Sequence, residues 1–559
     1  MNKPILSAMT FLTLLSVTVA FAATSKPTES LTLLRLRAPH TDGGREWAEN
    51  LAEIVRHPGA IDEIWFSTGI GVPNPADVRT AAKRIAAAAE DVRRHGIRAS
   101  LQIQATLGHG DEVSALEPTD GKSWGGFTGR GGVECRHCNC PRQPAFLDYM
   151  REMARCYAAF KPDWVWIDDD LRIAGHAPGS PWKKVADGYI GCWCKTCITA
   201  FGAETGTVWT RETLDAAMKK DPKLFDRWEK FSFASIAEVA RAIATEMHSV
   251  SPDTRFGYQH GAYRNDSQKS VFRALYEASG HTVGSRPGGG GYYDFDPHAQ
   301  GRKALEAAHQ RKVLGNDPTV AVWCPEVETY PRAFASRTSQ GVLNESLVNL
   351  AYGMNAISYL IMDTRSERAS FYGRTLLKDL AAEAPMMKAY RAWNRDAEPA
   401  GFVLPEGLPA ERLYAFALTG VPVLNGPGHA CGTLSQKDCS VNLCKMSSAD
   451  LLDLYRRMDE RTGGRLPVRP ENPVIALVVP QVTSDGILRS VMIENARIDA
   501  LEPLKLRLRG VPSGVRMAEW RAFRAPATTV DVLRDGTDAQ VILPRITAWN
   551  CGWLRLGEP

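Results

Sequence analysis

The chain has 559 residues, enough for three or four ordinary domains or for one large barrel with appendages. Hydrophobic residues make up 44% and charged residues 23%, which excludes a disordered, collagenous or coiled-coil protein. Lys and Arg number 67 against 63 Asp and Glu, a formal charge of +4 spread without long runs, so the basic stripe of a nucleic-acid binder is missing.

The first 22 residues read as a secretory signal. Lys3 is a short basic start, Ile5 to Val19 an apolar stretch, and Ala20-Phe21-Ala22 a small-x-small cleavage site. An exported protein, periplasmic or secreted, is expected. No later run reaches the roughly 20 apolar residues of a membrane span.

From residue 31 to about 395, β-branched apolar runs alternate with longer amphipathic stretches. The predicted strands are Leu31–Arg37, Glu63–Thr68, Arg98–Gln104, Trp164–Asp168, Arg255–Gln259, His281–Ser285, Thr319–Cys324 and Ala356–Ile361. Helical patterns lie between them at Ala76–His95, Ala145–Phe160, Leu224–His248, Ser267–Ala278, Lys303–Lys312 and Val342–Tyr352. Such alternation predicts a parallel sheet, and eight strands in this order fit a closed (β/α)8 TIM barrel over 30–398. No Gly-x-Gly-x-x-Gly follows the first strand, which weighs against a dinucleotide fold. Beyond residue 400 the texture changes. A flavodoxin-like α/β unit is expected at 400–470, then a small β-sandwich at 471–559 with turns at Asp485-Gly486 and Asp535-Gly536.

Barrel enzymes carry their chemistry at the C-terminal ends of the strands. After the fourth predicted strand come Asp168, Asp169, Asp170 and Arg172, then His176. Three adjacent carboxylates at the mouth of an apolar strand repel one another, so one of them is a candidate general acid with a raised pKa. After the seventh come Trp323, Glu326, Glu328, Tyr330 and Arg332. Glu326 and Glu328 are two apart, so in extended backbone they share a face. A carboxylate here, opposite one from the fourth strand, is the arrangement of a two-carboxylate glycoside hydrolase. Other strand ends add groups suited to binding a sugar: His109, Tyr258, Gln259, His260, Arg286 and Tyr292, with His40, Tyr293 and Asp363.

Six of the 12 cysteines fall in two clusters, Cys135-x-x-Cys138-x-Cys140 and Cys192-x-Cys194-x-x-Cys197. Three thiolates of the second with one from the first would make a tetrahedral structural zinc site. Disulfides are the alternative in an exported protein, with Cys135 and Cys138 as one pair.

These motifs resemble glycoside hydrolase family 42, the β-galactosidase-type members of the retaining barrel clan. That family has an apolar strand ending Asp-Asn-Glu, similar to Ile167-Asp168-Asp169-Asp170, followed by a knuckle like Cys192-Trp193-Cys194-Lys195-Thr196-Cys197. The resemblance implies zinc on Cys140, Cys192, Cys194 and Cys197, with Cys140 of Cys140-Pro141 as the fourth ligand. It implies a nucleophile in the Glu328-Thr329-Tyr330-Pro331 segment, with Glu326 as the alternative, and an acid/base at Asp170 or its neighbour Asp169. Asp170 stands where the family has Glu, and Asp169 where it has the Asn that binds the sugar 2-hydroxyl. A flavodoxin-like trimerisation domain and a small β-domain would follow, so a homotrimer is implied.

The reading that emerges is an exported glycoside hydrolase acting on an oligo- or polysaccharide. Two others come from different classes: a non-catalytic carbohydrate-binding barrel, and a metal-dependent hydrolase built on Asp168–Asp170 with His176.

Overall fold

The computed structural model describes residues 30–37, 44–69, 73–104, 106–108, 123–172, 190–260, 267–288, 294, 298–315, 317, 319–329, 337–362 and 366–557. The expected signal lies outside the described residues. So do the candidate site residues His109, His176, Tyr292 and Tyr330, with His40, Tyr293 and Asp363. Among the described residues no helix is long and apolar enough to cross a membrane.

Nine strands form one curled parallel sheet. They are β1 (Thr32–Leu36), β2 (Glu63–Ser67), β3 (Arg98–Ile103), β6 (Trp164–Ile167), β7 (Arg255–His260), β8 (Val283–Pro287), β9 (Val320–Trp323), β10 (Glu326–Glu328) and β11 (Ile357–Leu360). A small hairpin, β4 (Gly126–Thr128) with β5 (Glu134–Asn139), is inserted after β3. The sheet order is β10-β11-β1-β2-β3-β6-β7-β8-β9. Its two ends are separated in the chain only by Cys324 and Pro325. Proline has no N–H for a ladder, so the strand position is split there into β9, within the predicted Thr319–Cys324, and a second piece, β10, that was not predicted. The first piece pairs with β8 and the second with β11. The Cys324 amide still donates to Ser285, and the Ser358 amide to the Pro325 carbonyl, both at 3.0 Å.

A helix follows each strand position. Pro75, Pro144 and Pro222 open three of these helices at the first turn, where a missing N–H costs nothing. Two helices the periodicity did not suggest, Lys195–Thr205 and Arg211–Met218, precede the long helix Pro222–Val250.

Side chains alternate across each strand, so every second residue faces the lumen of the curl. The lower lumen is apolar: Leu33, Trp65, Trp164, Trp166, Val322, Cys324 and Ala356 form one buried cluster. The Trp65 and Trp166 rings stack at 4.3 Å, and Trp164 lies 5.3 Å from Trp166. Indoles fit there because Gly257 and Gly284 leave room, since a Cβ at either would overlap the Trp166 ring. The tryptophans of these strands therefore face different ways. Trp164 and Trp166 are the floor beneath Asp168, while Trp323 faces outward.

Beyond residue 395 lie two largely antiparallel sheets. The larger runs β13 (Val423–Leu424), β12 (Ala397–Val403), β16 (Leu477–Thr483), β17 (Leu488–Asn495), β23 (Asn550–Leu556), β19 (Met517–Ala522), β20 (Thr528–Asp531), with β14 (His429–Thr433) also on β12. The smaller runs β15 (Val468–Pro470), β18 (Leu504–Leu508), β22 (Asp538–Leu543), β21 (Leu533–Asp535). The stretch 400–470 does not form a sheet of its own. β12 pairs parallel with β13 and β14 but antiparallel with β16, so these strands edge the larger sheet. Three short strands and two helices bury too little apolar surface to stand alone.

Candidate active site

Above the tryptophan floor the lumen becomes polar within one step of two residues along each strand. Leu33 gives way to Arg35 on β1, Ser100 to Gln102 on β3, Trp166 to Asp168 after β6, Gly257 to Gln259 on β7, Gly284 to Arg286 on β8, and Cys324 to Glu326 with Glu328 beyond it on β10. All seven polar side chains are buried.

Glu326 is gripped from two sides. Arg35 Nη1 donates to its Oε1, and Arg286 Nη1 lies 3.1 Å from the same oxygen. Arg35 Nε also donates to Gln102 Oε1 at 3.4 Å, and Nη2 lies 3.9 Å from Asp168 Oδ2. Gln102 Nε2 donates to Asp168 Oδ2 and, at 3.5 Å, to Gln259 Oε1. The backbone N–H of Asp170 donates to Asp168 Oδ1 at 3.3 Å. Asp169, the least buried of the three aspartates, lies 2.8 Å from Arg172 and 3.8 Å from Arg286. Arg172 also reaches Asp170, at 3.4 Å.

The two carboxyl groups that flank Arg35 are driven in opposite directions. Burial pushes Asp168 well above the usual carboxylate range, reinforced by the negative Asp169 and Asp170 beside it and opposed by Arg35. A side-chain hydrogen bond with Asp169 pushes it the same way. Burial would raise Glu326 too. There the cations Arg286, Arg35 and Lys303 outweigh it, and the pKa falls to about 2. A protonated acid and a fixed carboxylate side by side are the groups that acid/base chemistry at neutral pH requires.

The three aspartates gather closely enough to present oxygens to a metal ion. Three guanidiniums already neutralise them, from Arg35, Arg172 and Arg286. A divalent cation would have to displace or oppose these charges, which disfavours the metal-dependent alternative.

Strand alternation removes three expected sugar-binding residues from the lumen. Tyr258 and His260 flank Gln259 and point outward, under the helix Lys269–Ser279. Tyr258 packs on Phe272 and donates to the Leu171 carbonyl at 2.8 Å, so it braces the turn carrying Asp168–Arg172. His260 pairs with Ser285 at 2.8 Å and stands edge-on to Phe272. Trp323 lies between the inward Val322 and Cys324 and sits beneath Arg311 of the helix Ala299–Leu314. Arg286 is where a site residue was expected. Arg35 and Gln102 were not anticipated, although a charged or amide residue inside an apolar buried strand is itself a signal.

The cysteines divide. Cys140, Cys192, Cys194 and Cys197 bring their sulfurs within 4.8 Å of one another. Cys140 Sγ lies 3.6 Å from Cys194 and 3.5 Å from Cys197. Those spacings are far from the roughly 2.05 Å of a disulfide and close to the ~3.8 Å edge of a tetrahedron with metal–sulfur bonds of about 2.3 Å. The set fits a tetrahedral metal. Cys194 ionises easily because the other three thiols donate to it. Two hydrogen bonds lash β4 to this knuckle: Thr128 N–H to Cys192 Sγ at 3.3 Å, and Trp193 N–H to the Thr128 carbonyl at 2.7 Å. Gly191 enters it at φ +93°, the left-handed region, with no space for a side chain beside Ser232 and Trp228. Cys135 and Cys138 stand apart as a dithiol with sulfurs 3.5 Å apart.

No protein-family model matches the chain, and no curated protein matches it in sequence. The fold has solved counterparts. An α-L-fucosidase isoenzyme 2 from Paenibacillus thiaminolyticus is similar at a TM-score of 0.56 and 11% identity, over 95% of this chain and 100% of that one. A β-galactosidase from Bacillus circulans sp. alkalophilus is similar at 0.53 and 10%, over 94% and 99%. A β-galactosidase from Rahnella sp. R3 is similar at 0.53 and 11%, over 95% and 99%. At these identities the likeness is one of fold, and it runs nearly end to end.

Proposed function

We propose that the chain is an exported glycoside hydrolase, β-galactosidase-like in architecture, that cleaves O-glycosidic bonds of an oligo- or polysaccharide at the mouth of a closed (β/α)8 barrel. The observation that carries this reading is the Arg286 guanidinium spanning Asp169 and Glu326, with Glu326 held ionised and the Asp168 carboxyl beside Asp169 raised well above the usual carboxylate range. The end-to-end likeness to a fucosidase and two β-galactosidases supports it.

In this reading Glu326 is the carboxylate that meets positive charge developing at the anomeric carbon, as nucleophile in a retaining mechanism. Its low pKa keeps it ionised whenever substrate binds. Asp169, the aspartate nearest the opening, delivers the proton of the Asp168–Asp169 pair to the leaving oxygen and then takes one from water. Gln102 and Arg35 orient that pair, and Arg172 bridges Asp169 and Asp170.

The test is release of reducing sugar across a glycan panel. Glu326→Gln and Asp169→Asn should each lower kcat/KM by about 10²–10⁴-fold with the fold intact. Glu328→Gln and Asp170→Asn should cost less. Equal losses in both sets would overturn the assignment of residues. Oligosaccharide binding by the wild-type chain with no sugar released would favour the non-catalytic reading instead.

The four-cysteine knuckle is assigned to one structural zinc on Cys140, Cys192, Cys194 and Cys197, which would brace the segments after β3 and β6 and take no part in catalysis. Elemental analysis should give one zinc per chain in the wild type and in Asp169→Asn, and none in Cys194→Ser. Zinc retained by Cys194→Ser would reject the site.

A further inference from the structure

Arg337 is wholly buried, yet it lies outside the acid cluster and the chemistry above makes no use of it. Its guanidinium has four neighbours in three parts of the fold. Nη1 donates to the backbone carbonyl of Glu328, the last residue of β10, at 3.1 Å. Nη2 lies 2.6 Å from Glu345 and donates to the Gly341 carbonyl at 3.2 Å. Nε donates to Asp294 Oδ1 at 3.3 Å.

Each of these partners is fixed in turn. Glu345 is fully buried and also faces Lys303, at 3.1 Å. Asp294 accepts from the Thr338 backbone N–H and from its hydroxyl at 2.8 Å, and from Gln300 at 3.1 Å. Thr338 caps the helix Ser339–Ala351, Asp294 holds that capping residue, and Gly341 is what lets the Asp294 carboxylate approach so closely. The same helix is tied to the C-terminal sheet. Gln340 donates to Asn550 at 3.0 Å, and Asn344 to the Trp549 carbonyl at 3.0 Å.

We propose that Arg337 is a positioning residue that sets the backbone of β10, and with it the Glu326 and Glu328 carboxyl groups, through a buried arch running from the Glu328 carbonyl by way of Glu345 and the helix Ser339–Ala351 to β23. This rests on the glycosidase reading for its catalytic consequence, but not for its structural one. The planar fork is essential to the argument. It serves acceptors on three elements at fixed angles, whereas an ammonium at the same place keeps the charge and loses that geometry. β10 is only three residues long and directly follows Pro325, so little else fixes where its end lies.

Arg337→Lys and the milder Asp294→Asn, both in the full chain, test this with two measurements. In Arg337→Lys, kcat should fall about 10- to 100-fold with KM changed little, as expected when reacting groups move by a fraction of an ångström to about 1 Å. The acid limb of the pH profile should move upward as Glu326 drifts from Arg35 and Arg286. Asp294→Asn should do the same to a smaller extent. Independently of activity, hydrogen exchange of the Val327, Glu328 and Thr329 amides should quicken in both variants ahead of the sheet as a whole. A lowered Tm with wild-type kcat, pH profile and local exchange would make Arg337 a merely structural residue and overturn the proposal. If the wild-type chain cleaves no glycan, the glycosidase reading fails and the exchange measurement still decides the arch. Should Arg337→Lys fail to fold, Asp294→Asn carries both measurements.

Discussion

Two glutamates on β-strands, Glu326 at the lumen mouth and Glu494 where the barrel helices meet the C-terminal sheet, are both fully buried and carry opposite electrostatics. Glu326 has two guanidiniums on it and a pKa of about 2. Glu494 has only the Tyr414 hydroxyl, at 3.2 Å, and the negative Glu345 in the background, so burial pushes it up to about 7. The same side chain at the same depth is a fixed anion in one place and a titrating acid in the other. Burial sets the cost of a charge, and the neighbours decide whether it is met. At the mouth the protein spends two arginines on keeping a carboxylate ionised, which a purely structural contact would not need.

Removing a cation from the mouth should have the largest effect. Arg35→Met leaves Glu326 and Asp168 without the guanidinium they share, and breaking a buried pair costs about 3–5 kcal/mol. Denaturant unfolding at neutral pH should show a loss of that size together with loss of any glycan cleavage. A stability within about 1 kcal/mol of wild type would mean that Arg286 alone holds the charge.

The domain contact should respond less, and with pH. A carboxyl whose folded pKa is raised from 4.5 to about 7 contributes stability below the unfolded value and loses it as pH rises through the folded one. Wild type should therefore lose at most about 3 kcal/mol between pH 4 and pH 8 on account of Glu494. Glu494→Gln should be flatter over that window and more stable than wild type at pH 8. Glu326 works in the other direction, since its stabilising charge is lost only as pH falls from 4.5 toward 2. Parallel stability–pH curves for wild type and Glu494→Gln would show that Glu494 does not titrate there.

Much of the frame was legible in the sequence. The eight strand positions followed from β-branched runs spaced by helical patterns, the shared face of Glu326 and Glu328 from their two-residue separation, and the metal-like cysteine set from its spacing. The short strand Glu326–Glu328 was missed, because the predicted strand ended at Cys324 and proline at 325 cannot continue a ladder. What failed was the choice of faces. Tyr258, His260 and Trp323 sit at strand ends among the acids, yet each points away from the lumen, while the unremarked Arg35 and Gln102 point into it.

The amino-acid sequence by itself determined the alternation of strand and helix, the two-residue period along each strand and the clustering of thiols and carboxyls. Only the tertiary structure decided which face of each strand is the lumen. In a parallel sheet covered by helices, both faces are buried and both read as apolar, so period-two patterning carries no sign. The curl of the sheet supplies that sign. It stacks Trp65 on Trp166 over two glycines and lifts Arg35, Asp168, Arg286 and Glu326 together above them. The charge state of Glu326 belongs to the tertiary structure as well, because its two arginines come from β1 and β8, far away along the chain.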